Sequence, residues 1–339
     1  MKKPIIGIIG GSGYIGSRIA NRLSKRYAVR VLDKRSCPLD VVDGNVQYQP
    51  CDITNYEEIR KSLEGVDAVI HTAIVQIPLI NDNKKLGYKV NIIGTENACK
   101  AASEIPSVKG FILAGSWHVL GEKGLKGIIS EDFGFRPDKV EDRAYLYVLS
   151  KIAQEVVVRF YNQMMPNTVF GIIRLGTVLG EGMPEKTAAN IFISKGLKGE
   201  SITPYKHTMY RPMLYLDIND ACRAFEAYID KILRGEICKS DEGTSNIVNL
   251  CWPTPITILE LAKFVQEEIE KLTEGRIRPK IEIVDQKMPI LHDVEDAKKL
   301  RIDISKAGEL LGLKKLINPR LSIAKIISDR LKSRTILTR

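Results

Sequence analysis

The chain has 339 residues, of which 44% are hydrophobic and 27% charged, with a formal net charge of +10. That balance excludes a disordered chain and leaves length for one large domain with a lobe, or for two domains. Lysines and arginines are spread along the chain rather than clustered with aromatics, so nucleic acid is not an expected partner, while the net charge favours anionic substrates.

No stretch approaches 18 uninterrupted apolar residues, so no membrane span is expected. The start, "MKKPIIGIIGG", has too short an apolar run for a signal peptide and no small-residue cleavage site. Cysteines at 37, 51, 99, 222, 238 and 251 form no CxxC pair. They read as thiols of a reducing compartment, without disulfides or a metal site, and a cytoplasmic location follows.

In chain order, "IIGII" (5–9) predicts a buried strand, followed by glycines and a helix to about Arg26. "AVRVLD" (28–33), "VQYQP" (46–50), "DAVIHTA" (67–73), "GFILAG" (110–115) and "TVFGIIRL" (168–175) continue the strands. Helical periodicity falls at about 55–64, 86–104 and 143–165. Continuous apolar strands alternating with amphipathic helices predict an α/β fold, a Rossmann-type doubly wound parallel sheet. After Gly180 the alternation loosens. "TAANIFISKGLKG" predicts a helix, "PMLYLDINDACRAFEAYI" a strand and a helix, and "NIVNL" a further strand. These features divide the chain into a nucleotide-binding domain (1–180, with 210–250 returning to it) and a smaller mixed α/β lobe (181–209 and 251–339). The terminal "NPRLSIAKIISDRLKSRTILTR" reads as a basic surface helix docked by Ile323, Ile326, Ile327 and Leu331.

The glycines of "GGSGYIGSRIA" fit G-x-x-G-x-x-G through Gly10, Gly13 and Gly16, and G-x-G-x-x-G through Gly11, Gly13 and Gly16. Either frame allows close backbone approach to a pyrophosphate at a helix N-terminus. Tyr14, Ile15 and Gly16 lie in this turn, and Asp33 ends the next strand, placed to accept ribose hydroxyls. Its charge would repel a 2′-phosphate, so NAD is favoured over NADP, although Lys34 and Arg35 follow at once. Asp52 and Ile53 of "CDIT" come next to the adenine end. In "YLYVLSK", Tyr147 and Lys151 are four residues apart and share a helix face, whereas Tyr145 does not. A cation one turn from a phenol favours phenolate.

With these come "VIHTA", "VNIIGTENACKAA", "FILAGSWHVLG", "IIRLGTVLG", "RPMLYLDINDA", "NIVNLCWPTPITILELA" and "DISKAGELLGL". Together they resemble the extended short-chain dehydrogenase/reductases, the NAD-dependent epimerase/dehydratase family, over nearly the whole length. The resemblance, nearest to nucleotide-sugar 4-epimerases, implies a catalytic trio of Ser116, Tyr147 and Lys151. It puts Ala73, Asn91 and Leu175 beside the cofactor. It also implies that Asn190 and Arg211 face a nucleotide diphosphate, with Thr177 at the substrate. His118 reads as a histidine shaping the pocket wall or, since an unperturbed imidazole titrates near neutrality, as a second acid/base group. Trp117 and His118 stand where the family's 4,6-dehydratases carry Asp-Glu, which argues against dehydration. Thr177 replaces an asparagine common in nucleotide-sugar enzymes. Relatives dimerise through the helices carrying Asn91 and Tyr147, so a homodimer is implied.

The expected chemistry is oxidation of a sugar hydroxyl. Its base needs a pKa near 7, roughly 3 pH units or about 4 kcal/mol below a free tyrosine. Lys151 and the charged nicotinamide ring are expected to provide that lowering. The outcome expected is an epimerase returning the hydride to the sugar, with a dehydrogenase of a sugar, sugar acid or other secondary alcohol as the alternative. A non-catalytic dinucleotide-binding regulator is disfavoured by the intact trio.

Overall fold

Seven parallel strands form the central sheet of the computed structural model, which describes residues 3–35, 45–240 and 242–337. They are β1 (Ile5–Ile9), β2 (Ala28–Asp33), β3 (Val46–Pro50), β4 (Ala68–His71), β5 (Gly110–Ser116), β6 (Val169–Leu175) and β7 (Ile247–Leu250). Their spatial order is β7-β6-β5-β4-β1-β2-β3. The order reverses between β1 and β4, and in such sheets the crevice beyond the carboxyl ends of the strands at that point receives ligands. The doubly wound Rossmann-type sheet expected from the apolar runs is therefore the observed fold.

The principal helices are α1 (Tyr14–Leu23), α2 (Tyr56–Ser62), α3 (Gly94–Glu104), α4 (Tyr145–Met164), α5 (Ala188–Leu197), α6 (Ile218–Leu233), α7 (Ile258–Leu272), α8 (Ser305–Leu311) and α9 (Pro319–Leu337). Ile19 and Leu23 of α1 and Phe225 and Tyr228 of α6 cover one face of the sheet. Small residues of α3 (Ala98, Ala101, Ala102) and Val158 and Tyr161 of α4 cover the other. A separate core joins Phe192 and Ile193 of α5, Leu261 and Val265 of α7, and Ile323, Ile326 and Ile327 of α9. The basic terminal helix is thus anchored by the isoleucines its pattern singled out, with Leu331 packed at its edge.

Two expectations are modified. The helix over 86–104 is interrupted: Lys84–Tyr88 leads into a π-helical turn at Lys89–Ile93 before α3 begins. The strand expected from "PMLYLD" is broken into Pro212–Met213, antiparallel to Ile256–Thr257, and Tyr215–Asp217, parallel to Thr177–Leu179. Pro212 has no N–H for a ladder, which favours such a break. Beyond these strands, Ile281 and Val284 form isolated bridges to Ile202 and Tyr205. Among the described residues no helix is long and apolar enough to cross a membrane. Cys51, Cys99, Cys222 and Cys251 are buried free thiols and Cys238 an exposed one, while Cys37 lies outside the described residues.

Candidate active site

Three backbones converge at the carboxyl end of β1. Gly10 has φ +78°, and a Cβ there would lie 2.5 Å from the Ala73 nitrogen. A Cβ on Gly16 would lie 2.5 Å from the Gly10 oxygen, and one on Gly13 3.1 Å from that oxygen. Gly13 is the N-cap of α1 and offers no side-chain cap, so the first-turn N–H groups are left for an anion. Ile15 packs on the first core, while the buried Tyr14 hydroxyl has no hydrogen-bond partner and abuts Gly180.

Asp33 is buried and accepts the Ser12 N–H at 3.0 Å and the Arg35 N–H at 2.9 Å. The Arg35 guanidinium approaches both its oxygens at 3.3 Å. Lys34 is paired with Asp52 at 2.7 Å, and Asp52 also accepts the Thr54 amide and hydroxyl. Both cations that the sequence offered to a 2′-phosphate are therefore engaged by carboxylates. Ile53 is buried, and its carbonyl accepts the Asn97 amide at 3.1 Å. A cradle closed to any Cβ, free helix N–H groups and a carboxylate at the end of β2 fit NAD.

Asn91 does not present a free amide to this crevice. Its Oδ1 accepts the Val75 N–H at 2.7 Å, and its Nδ2 donates to the Val75 carbonyl and the Ser150 hydroxyl, each at 3.0 Å. The π-turn carries it into this position, where it bolts the loop after β4 to α4. π-turns recur at functional sites for such reasons. Gln154, Thr95 and His71 continue the buried polar seam, with the Gln154 amide 2.8 Å from the Thr95 hydroxyl and the His71 ring 2.9 Å from it. Burial, and then the Lys151 charge, push the His71 imidazole down to about 3, so it stays neutral.

The trio is assembled from two elements. Ser116 ends β5, and Tyr147 and Lys151 project from the first turns of α4. Lys151 is 5% exposed, and its ammonium donates to the Ala114 carbonyl at 2.8 Å. Burial pushes its pKa down to about 7. Tyr147 departs from expectation: burial pushes its phenol up, and the Ser116 hydrogen bond pulls only partly against this. The ammonium is turned toward Ala114 and is itself short of solvent, so the chain alone does not provide the expected lowering. Tyr145 is 39% exposed and outside the group. Leu175, at the end of β6, is buried beside the trio's strand.

His118 packs directly against the trio. Its Nδ1 is 3.1 Å from the Ser116 hydroxyl, and its ring meets Tyr147 edge-on with centroids 5.7 Å apart. Its Nε2 is 3.3 Å from Glu122. Burial raises the Glu122 carboxyl, but the His118 hydrogen bond and the charges of His118, Arg211 and Arg143 outweigh it, leaving about 2. Thr177 accepts the Trp117 indole N–H at 3.4 Å. Arg211 is buried and paired with Glu141, and its Nε has no partner. Asn190 is committed to Met183, Ser194 and Arg330. The two groups assigned to a diphosphate thus have internal partners, while the buried Arg211 Nε has none. Glu122, Glu141 and Ser150 were missed in the sequence. Glu122 alone had a signal, its four-residue spacing from His118.

Sequence and structure comparisons identify the family and the fold. The model of the NAD dependent epimerase/dehydratase family matches residues 6–240. The chain is 30% identical over 194 residues to the sterol-4-alpha-carboxylate 3-dehydrogenase, decarboxylating, of Bos taurus, covering 57% of this chain and 51% of that protein. The chain spans about half the length of these sterol dehydrogenase relatives. It is 24% identical over 327 residues to UDP-glucuronic acid decarboxylase 2 of Arabidopsis thaliana, covering 95% of this chain and 67% of that protein. The structure of UDP-glucose 4-epimerase from Thermotoga maritima superposes with a TM-score of 0.76 at 21% identity, covering 97% of this chain and 99% of that one, which establishes the fold. With the glycine cradle, Asp33 and the trio in place, and the family model covering most of the chain, this protein is an enzyme of the NAD-dependent epimerase/dehydratase family.

Proposed function

We propose that the chain epimerises a nucleotide sugar by transient oxidation of one sugar hydroxyl. The observation that carries this is the convergence of Ser116, Tyr147 and Lys151 at the carboxyl end of β5, beside a closed glycine cradle. A bound NAD would supply the hydride acceptor for the carbinol carbon and the donor for its return. Gly10, Gly13 and Gly16 would hold its pyrophosphate and Asp33 its adenosine ribose. Lys151 would leave the Ala114 carbonyl to bind the nicotinamide ribose hydroxyls. Tyr147 then takes the substrate hydroxyl proton, and Ser116 orients that oxygen. Because burial raises the phenol, Tyr147 becomes a base only once the site is loaded and positive charge faces it.

The substrate face is read as the lobe of residues 181–209 and 251–339, set against residues 1–180 with 210–250. The exposed Tyr88, Ile93, Leu149, Phe160 and Met164 give the surface on and around α3 and α4 an apolar character suited to a homodimer. A cytoplasmic enzyme remains the reading.

One observation favours a second reading, oxidation without return. Arg211 and Asn190 are engaged within the protein, which weakens the diphosphate assignment and leaves room for a sugar acid or other secondary alcohol. The test is incubation with NAD⁺ and a panel of nucleotide sugars and sugar acids, following absorbance and products. Isomer without net NADH supports epimerisation. NADH formed in step with substrate loss would replace it by dehydrogenation.

A further inference from the structure

We propose that His118, oriented by Glu122, is a positioning residue that sets the direction of the Ser116 hydrogen bond and so gates the trio. The inference rests on the reading of Ser116 as the group that holds the substrate oxygen.

Ser116 Oγ, His118 and Glu122 form a continuous line, with contacts of 3.1 Å to Nδ1 and 3.3 Å from Nε2 to the carboxylate. Glu122 is 2% exposed, and the His118 hydrogen bond with the nearby Arg211 and Arg143 charges favours its anion beside the imidazole. A carboxylate can only accept. A neutral His118 must therefore keep its single proton on Nε2, leaving Nδ1 bare, and bare Nδ1 accepts the Ser116 hydroxyl hydrogen. The Ser116 hydroxyl hydrogen is then turned to Nδ1, and the donated bond by which it would lower the Tyr147 phenol is forfeited until it turns back. When His118 gains a second proton, Nδ1–H donates to Oγ, in line with the His118 backbone N–H that already reaches Oγ at 3.3 Å. The hydroxyl hydrogen is released to bond the phenolate or the substrate. The proton that enters at Nδ1 comes from solvent, since the His118 side chain keeps 20% of its surface exposed.

Other charged groups surround the pair. Arg211, Arg143 and the pair's own imidazole act on Glu122, Glu141 binds both arginines, and His292 lies within electrostatic reach. The Tyr147 ring covers the edge of His118. None of them is placed by a hydrogen bond to take over Nε2.

The test uses the NAD-loaded enzyme in two measurements, with wild type and Glu122→Gln compared. Long-range 15N–1H NMR of the imidazoles reads the neutral tautomer, with His118→Gln identifying the signal. Wild type is expected to show Nε2–H. Glu122→Gln, whose side-chain amide can donate to Nε2 as well as accept from it, is expected to show a mixture of Nε2–H and Nδ1–H. In parallel, the alkaline limb of the kcat profile should move to lower pH in Glu122→Gln, because an anion beside an imidazolium favours it, with NAD affinity unchanged. A neutral Nδ1–H tautomer in wild type overturns the proposal, whether or not the variant folds. So does a tautomer or an alkaline limb that stays put in Glu122→Gln. Absence of turnover on every nucleotide sugar, with the Nε2–H tautomer in place, would instead sink the substrate reading and leave the gate standing.

Discussion

Lys151 offers a prediction whose size follows from burial. Its ammonium is 5% exposed, has one hydrogen bond to the Ala114 carbonyl, and titrates near 7 rather than 10.5. A lysine whose folded pKa lies below its unfolded one destabilises the folded chain wherever it is charged in both states, that is, below about pH 7. The loss is relieved as pH rises from 7 to 10.5, because there the unfolded chain holds the proton that the folded chain has released. The gap of about 3.5 corresponds to roughly 5 kcal/mol at pH 6, falling to about 2 kcal/mol at pH 9. Lys151→Met removes this penalty and forfeits one hydrogen bond of about 1 kcal/mol. The cofactor-free variant should therefore be more stable than wild type by a few kcal/mol at pH 6, with the advantage shrinking by about 3 kcal/mol at pH 9. Urea melts of the cofactor-free protein at both pH values measure it. The same variant should lose NAD affinity and turnover, tying its stability gain to loss of function. If Lys151→Met is no more stable at pH 6, or its advantage does not change with pH, the lysine is solvated and its burial has been misread.

Three other predictions follow from the site. Tyr147→Phe should keep NAD binding and lose at least about 100-fold in turnover, while Tyr145→Phe changes turnover little; equal losses in steady-state rates would remove Tyr147 from its role. Gly16→Ala places a methyl 2.5 Å from the Gly10 oxygen, so cofactor titration should show NAD affinity reduced at least about tenfold, with the trio intact. Asn91→Leu strips three buried hydrogen bonds and strands the Val75 backbone, for a loss of about 2–4 kcal/mol in denaturant melts and looser NAD binding. A variant as stable as wild type would show that the loop after β4 is held by other contacts.

The apolar periodicities reported the sheet well because burial is what they measure. "IIGII" and "TVFGIIRL" became β1 and β6 almost residue for residue, and the five-residue "NIVNL" lost only its first position in becoming β7. The glycine turn was equally legible, since only glycine tolerates the approach of Ala73 and Gly10. Polar burial was not. Asn91 looked like a cofactor residue and is an internal clamp; Lys34, Arg35 and Arg211 looked like phosphate ligands and are each paired with a carboxylate. Sequence shows which charges exist, but a carboxylate 70 positions away, as Glu141 is from Arg211, becomes a partner only through the fold.

The same distinction explains Tyr147. Helical spacing correctly put Tyr147 and Lys151 on one face, yet spacing carries no information about solvent. In the folded chain, water is withdrawn from both groups at once, which raises the phenol and lowers the ammonium, so each moves toward its neutral form. Pushed toward their neutral forms in the empty site, the two groups carry less charge to attract ions or promote stray proton transfer. On the proposed mechanism, phenolate forms when positive charge and a substrate oxygen face Tyr147 together. The seam of His71, Thr95 and Gln154 behind Lys151 fits this: it adds polarity without a formal charge, and a second cation in that place would hold Lys151 deprotonated. On the proposed mechanism, burial thus couples base strength to loading and confines the chemistry to the occupied site.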